Sequence, residues 1–376
     1  MHHHNSVTFV RVAADLRGGS VARMSRSAFT LVEILVSLTV LAILLLVSAS
    51  VIGQVQRTWS ASAARVSQFR EARVAFDIIS KNLSQATLNT YLDYSTNYLQ
   101  NPTAVGGVVV KYIRKSELRF VCGEARTLVP GASGNPLTGH AVFFQAPLGV
   151  VSNALNSGLD SLLCGRGYFV QLSNDDAFRP PFITKQRTRY RLMEFSPPAE
   201  QNLIYTETQD TSIAKKPGLW FKNAGANLSA DENAATRGIT RPIADNIVLM
   251  LISPRSEPQL GTGVGGVNPT NIAPDYWFDS VQKAGATGPT GQGNQHLVPP
   301  LVRLVLVAIG ESSAQRLEAM NGGDMPDLVG DSGVSFRNAD SMDQDIRNFA
   351  GYLTEQGANF RVFSATVPIL SAKWNL

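Results

Sequence analysis

The sequence predicts an α+β fold: a long amino-terminal helix, transmembrane in its first half, packed on a predominantly antiparallel β-sheet head with long loop insertions. Three observations carry this. From Ile34 to Ile52 nineteen residues run without a charge. Between Phe29 and Asn101 there is no proline and a single glycine, Gly53. After Pro102 short β-prone runs alternate with clusters of Gly, Pro, Asn and Ser, the punctuation of strands and turns.

Residues 1–28 form a basic leader. Arg11, Arg17, Arg23 and Arg26 stand against Asp15, so the leader holds +3 of the chain's formal +4 and the remainder is about +1. A nearly neutral body gives no electrostatic case for nucleic acid as a partner. The leader arginines place the amino end in the cytoplasm and everything beyond Ile52 in the periplasm or outside. His2, His3 and His4 resemble a tag remnant or an over-long start, and Met24 is an equally reasonable initiator; the two starts stay open.

Residues 29–53 form the membrane segment. Nineteen uncharged residues at ~1.5 Å of rise give roughly 28 Å of helix, close to the ~30 Å of a hydrocarbon core. Glu33 interrupts its beginning. A carboxylate there costs about 2.5–3.5 kcal/mol, so it needs a partner or a purpose. The chain continues as an amphipathic helix over residues 54–93: Trp59, Val66, Phe69, Ala72, Phe76, Ile79, Leu83 and Ala86 recur at steps of three and four, one stripe of a helix. One helix from Phe29 to about Leu92 is expected.

Phe29-Thr-Leu-Val-Glu33, preceded by a small residue and a basic leader and followed by an apolar run, resembles the class III signal of type IV prepilins and pseudopilins. The resemblance implies a membrane aspartyl prepilin peptidase that cuts between Ala28 and Phe29 and methylates the new amine. It implies that Glu33 meets the amine of a neighbouring subunit and sets the register of a filament, since a buried charge needs pairing. The family usually has Gly where Ala28 stands. An uncleaved signal anchor is the bland alternative. Arg70-Glu-Ala-Arg-Val-Ala-Phe-Asp-Ile-Ile-Ser-Lys-Asn-Leu-Ser-Gln-Ala86 is similar to the helix of J-type minor pseudopilins of type II secretion. By length and layout the chain also resembles the verrucomicrobial exported cassette families, particularly the protein C type. The implied partners are the prepilin peptidase, other pilin or pseudopilin subunits and the inner membrane.

The head spans residues 94–376. Strands are expected at Val108–Ile113, Glu117–Cys122, Ala141–Gln145, Gly167–Leu172, Arg187–Phe195, Asn202–Thr206, Asn246–Ser253, Leu301–Ile309 and Phe360–Ile369. Arg187, Arg189 and Arg191 share one strand face, either a basic patch or the solvated side of an antiparallel strand. Loop insertions are expected at about 259–296, which holds the aromatic knot Tyr276-Trp277-Phe278, and at about 321–345. The knot is either a partner contact or a loop packed down. Cys122 and Cys164, with 41 residues between them, can close one disulfide worth roughly 4 kcal/mol; two free buried thiols are the alternative.

Catalytic patterns are sparse. His140 and His296 lack spaced partners, and Gly261–Gly266 matches a dinucleotide loop by letter but leads into Pro-containing sequence that cannot open a helix. Gly330-Asp-Ser332-Gly resembles a protease nucleophile segment without a triad pattern. Asp340, Asp343 and Asp345 form a weak calcium candidate, off EF-hand spacing, and a solvated acidic loop is the alternative. No cofactor is called for. The expected function is a minor pilin or pseudopilin, a filament subunit and not an enzyme. The alternatives are an adhesin or ligand-binding protein exported on a pilin-type signal, a simple signal-anchored periplasmic protein, or an enzyme with a base near Ser332.

Overall fold

The computed structural model describes residues 30–96, 109–129, 136–151, 153–159, 162–176, 179–180, 182–202, 204, 219–221, 224–225, 239–256, 272–282 and 292–372. The chain divides into two compact units, residues 1–63 and 64–376. The first holds most of helix α1, Leu31–Gln68. Its apolar stretch, Leu31–Gln56, is 26 residues long and unburied, about 39 Å at the helical rise and so longer than a hydrocarbon core.

In the second unit α2, Arg70–Ser84, buries Ala72, Ala75, Phe76, Ile79 and Leu83 while Arg70, Arg73, Asp77 and Lys81 face solvent. From Phe69 to Ala86 the predicted stripe is thus the packed one, the side chains of Trp59 and Val66 lying outside the described residues, and each large apolar side chain contributes about 1.5–3 kcal/mol. The expected single helix to Leu92 is corrected in its middle and at its carboxyl end. Phe69 leaves helical geometry at φ −108°, ψ 10°, and α2 stops at Ser84. Its last turn closes through Gln85 N–H and Ala86 N–H to Asn82 and Leu83 carbonyls. Thr87 N–H then donates to Gln145 O at 2.8 Å, which draws the chain onto the sheet.

The strands are β1 Tyr91–Thr96, β2 Val109–Lys115, β3 Val121–Glu124, β4 Leu137–Pro147, β5 Leu163–Asn174, β6 Thr188–Phe195, β7 Thr240–Asp245, β8 Ile247–Arg255, β9 Phe278–Asp279, β10 Leu301–Ile309 and β11 Phe360–Pro368. All pairs are antiparallel: a ribbon β1-β2, a sheet β7-β6-β5-β4-β3-β9 and a sheet β11-β10-β8. Asn202–Thr206 is not a strand where described; a 3-10 turn at Ala199–Gln201 precedes it. Of the expected strand Glu117–Cys122 only Val121 and Cys122 are strand; Glu117–Phe120 is irregular, and side chains satisfy it instead: Arg119 N–H donates to Gln145 Oε1 and Phe120 N–H to Ser280 Oγ, both at 2.9 Å.

A seam joins the two larger sheets. The β4–β5 register shifts between Thr138 and Val142, and there β4 reaches β8. Thr138 Oγ1 donates to Val248 O at 2.8 Å, and Ile252 N–H donates to His140 Nδ1 at 3.1 Å. Gly139, at φ +64°, lies against Met250, where a Cβ would come within 2.4 Å of the Met250 carbonyl oxygen. On the far side of the six-stranded sheet, Phe143 lies over Gly167 and stacks on Phe221 at 4.3 Å. A Cβ on Gly167 would meet that ring at 2.3 Å.

The two insertions differ from expectation in part. Within 259–296, Phe278 and Asp279 form β9, and Tyr276 and Phe278 are buried, so the aromatic knot is core. Within 321–345 lies a helical turn, Leu328–Asp331, and the start of the helix Met342–Glu355.

Candidate functional site

The site with the clearest chemistry is the start of α1. Thr30 Oγ1 and Thr30 O both accept from Glu33 N–H, at 3.3 and 3.0 Å. Thr30-x-x-Glu33 is thus one half of a capping box, a spacing present in the sequence but missed there. Glu33 is exposed, and its carboxylate has no partner among the described residues. By helical spacing Glu33, Val36, Ser37, Val40, Leu41 and Leu44 share one face, an apolar stripe headed by an acid. The hydroxyls of Ser37, Thr39 and Ser50 donate to the carbonyls of Ile34, Val36 and Val47, each at 2.8 Å, so they present no unmet donor to lipid. The arrangement suits an apolar medium along its length and a cationic group at its head. Ala28 and Phe29 lie outside the described residues.

The remaining candidates resolve into structure. Cys122 and Cys164 are free, buried thiols, which corrects the expected disulfide. Cys122 pairs with Val142 of β4 and Cys164 with Ala146 of the same strand. They therefore sit on opposite neighbours of β4 and four residues apart along it, roughly 16 Å from each other by strand spacing and rise, far beyond the ~6.8 Å Cα separation that a disulfide spans. Burial pushes both thiols up, so neither is poised for reaction.

Arg189 and Arg191 form neither a solvated face nor a patch; both are buried. Arg189 pairs with Glu318 at 2.7 Å and Glu311 at 3.1 Å, and Arg191 with Asp245 at 3.2 Å. Burial pushes Glu311 up, but hydrogen bonds from Arg189, Asn246 and Gln315 outweigh it and hold the carboxyl below its ordinary value. Glu71, at the start of α2, accepts from Asp245 N–H at 3.0 Å, and burial raises both carboxyls. Arg187 alone of the three is exposed.

His140 is fully enclosed. Its Nε2 faces Phe336 O at 3.3 Å while Nδ1 accepts from Ile252 N–H, so it is the neutral Nε2–H tautomer. Burial lowers its pKa to about 4, and Tyr276 packs on it at 4.3 Å. With both nitrogens committed it cannot act as a base for Ser332, whose Oγ donates to Val329 O at 2.8 Å. A cleft of about 330 Å³ lies beside this loop, lined in part by Arg126, Asp275, Gly330 and Phe336. His296 has an enclosed Nδ1 without a hydrogen-bond partner among the described residues.

The calcium candidate also resolves otherwise. Asp343 holds Arg303 in a bidentate pair, and Ser341 donates to Asp345 at 2.6 Å. Among the described residues no group of three His, Cys, Asp or Glu side chains is placed to hold a metal. Gly261–Gly266 lies outside the described residues.

Residues 23–49 match the family model of the prokaryotic N-terminal methylation motif. No curated protein and no solved structure matches the chain. The match spans the end of the leader, Glu33 and most of the apolar helix. It supports a type IV pilin-like precursor signal, processed by a prepilin peptidase, on a membrane-anchored chain, and it suggests a structural subunit. The α+β architecture, an apolar helix ahead of antiparallel sheets, is consistent with a pilin-like fold.

Proposed function

We propose that the chain is a minor pilin or pseudopilin, a structural subunit at the tip or in a minor position of a type II secretion pseudopilus or a type IV pilus-like filament. Prepilin peptidase cuts between Ala28 and Phe29 and methylates the new amine. Glu33 of one subunit then pairs with the Phe29 amine of the next, in a helix core where neither charge is tolerable alone. The head stands in the periplasm and recognises neighbouring subunits. The observation that carries this reading is an acid without a partner among the described residues, at the head of an unburied apolar helix and inside a matched methylation motif. The size of the head, about 280 residues after Asp93, favours a terminal or minor place, since a bulky head limits close axial stacking.

Intact mass of the membrane-extracted chain, from a host carrying its prepilin peptidase, tests the reading. The expected species starts at N-methylated Phe29. A mass that retains residues 1–28, in cells that process their other prepilins, would sink it and leave a membrane-anchored domain.

A further inference from the structure

A strand at the border of a sheet carries unpaired backbone groups that proteins ordinarily cover or break up. Three of the four borders of the two larger sheets are managed in this way. At β7, Pro242 and a register shift interrupt the strand, and Glu71 takes Asp245 N–H. β9 is two residues long. The outer side of β8 is taken up by Thr138 and His140 at the seam. Among the described residues β11 has no such device on its outer backbone groups: α2 packs on its face, Phe76 against Phe363 at 5.9 Å, and leaves the edge unpaired. The strand runs nine residues, pairs with β10 without a register shift, and meets a proline only at its last position, Pro368.

The direction of each backbone group follows from alternation, because in an antiparallel ladder a residue's N–H and C=O point to one side. Gly310 N–H reaches Asn359 O and Ile369 N–H reaches Pro300 O. Even-numbered residues of β10 and odd-numbered residues of β11 therefore face each other. Phe360, Val362, Ser364 and Thr366 turn their N–H and C=O outward, and none of these groups has a partner among the described residues. Arg361, Ser364 and Thr366 are exposed.

We propose that β11 is a pairing edge for a second copy of this chain, the two strands running antiparallel about a two-fold axis at Ser364. This register sets Ser364 against Ser364 of the second copy, Val362 against Thr366, Phe363 against Ala365 and Phe360 against Pro368. The large side chain meets the small one on the Phe363 face, and the one missing donor, at Pro368, falls at the ribbon's end. Arg361 is the sole charged residue of β11. In this register the two Arg361 side chains lie roughly 20 Å apart, beyond the ~8 Å screening length of physiological salt. Moving the axis to Val362 brings the two arginines within about 7 Å along the ribbon. Moving it to Thr366 puts Pro368 opposite Ser364 and removes a donor near the centre. Charge and hydrogen bonding both select Ser364, and pairing would join two three-stranded sheets into one of six. The inference rests on the strand geometry and is independent of leader processing and of the filament reading.

Cysteine placement in the full chain, in detergent micelles, tests it. Opposed residues of a hydrogen-bonded antiparallel pair have Cα atoms about 5.5 Å apart, inside disulfide range, and the native thiols are buried. Ser364→Cys should accumulate disulfide-linked dimer on air oxidation. Thr366→Cys should not, because its copies would be about 13 Å apart. Ser364→Pro removes an outward N–H and leaves the β10 ladder whole, so it should abolish the dimer seen for the unmodified chain by sedimentation. The proposal is overturned if Ser364→Cys fails to cross-link, if both cysteine variants cross-link equally, or if Ser364→Pro leaves the dimer intact. An unmodified chain that stays monomeric at all concentrations overturns it too, and would mean that a different protein covers this edge or that nothing does.

Discussion

Acid should weaken the head through His140, and the size of the effect follows from its burial. The folded imidazole stays neutral until pH about 4, whereas its ordinary value is 6.5. Below pH 6.5 the unfolded chain therefore binds a proton that the folded chain refuses, so stability rises with pH across this window. The contribution is complete above about pH 6.5 and is lost as the pH falls toward 4, where it amounts to about 3 kcal/mol at 1.36 kcal/mol per unit. At pH 5 about 2 kcal/mol is already gone. Carboxylates also titrate here, so the perturbation must isolate the histidine. His140→Gln keeps a donor and an acceptor and does not titrate. Urea unfolding of both proteins in micelles, followed by tryptophan fluorescence between pH 4 and 8, gives the difference. The wild type should lose about 2–3 kcal/mol more than the variant on acidification. Parallel pH profiles would refute the reasoning, since they would mean that water or a charge reaches the ring.

Three further outcomes are expected. Arg189→Ala, which strands Glu318 and Glu311, should lower stability by about 3–5 kcal/mol, while exposed Arg187→Ala stays within about 0.5 kcal/mol; equal effects in urea titrations would contradict the buried pairing. Gly167→Ala forces a methyl into the Phe143 ring and should cost about 1–3 kcal/mol, read as a lowered thermal midpoint; an unchanged midpoint would mean that the ring moves freely. Native protein should resist alkylation at Cys122 and Cys164, and denatured, unreduced protein should take up two labels, one for each cysteine of the chain; a mass without labels would reveal a disulfide.

The parts of the fold that were legible in the sequence are those set by local pattern. The stripe Ala72, Phe76, Ile79, Leu83 and Ala86 is buried where the spacing placed it, and Leu301–Ile309 coincides with β10. The illegible parts depend on distant partners. The stretch from Gln85 to Leu92 reads as the tail of a helix because nothing nearby breaks one, but Thr87 is bound to Gln145 and Thr90 donates to His296 O, 206 positions away. β7 carries Pro242, which suits a strand only at a sheet border, and a border is not visible in the sequence. Arg189 and Arg191 alternate like solvent-facing residues, and nothing in the spacing announces Glu318, 129 positions on, or Asp245. At the helix start, the Thr30-x-x-Glu33 spacing in the sequence is also that of the capping bond the structure shows.

The seam has a consequence for the order in which the chain becomes itself. Thr138 and His140 bind partners 110 and 112 positions later, and loops of that length close slowly. A polypeptide threaded out amino end first displays β3 to β6 well before β8 exists. During that interval the shifted segment of β4 has no backbone to lean on, and β8, once it emerges, must find side chains instead of a ready ladder. The seam therefore closes only after β8 has emerged, and the interval before that is when a chaperone or a protease has its opening.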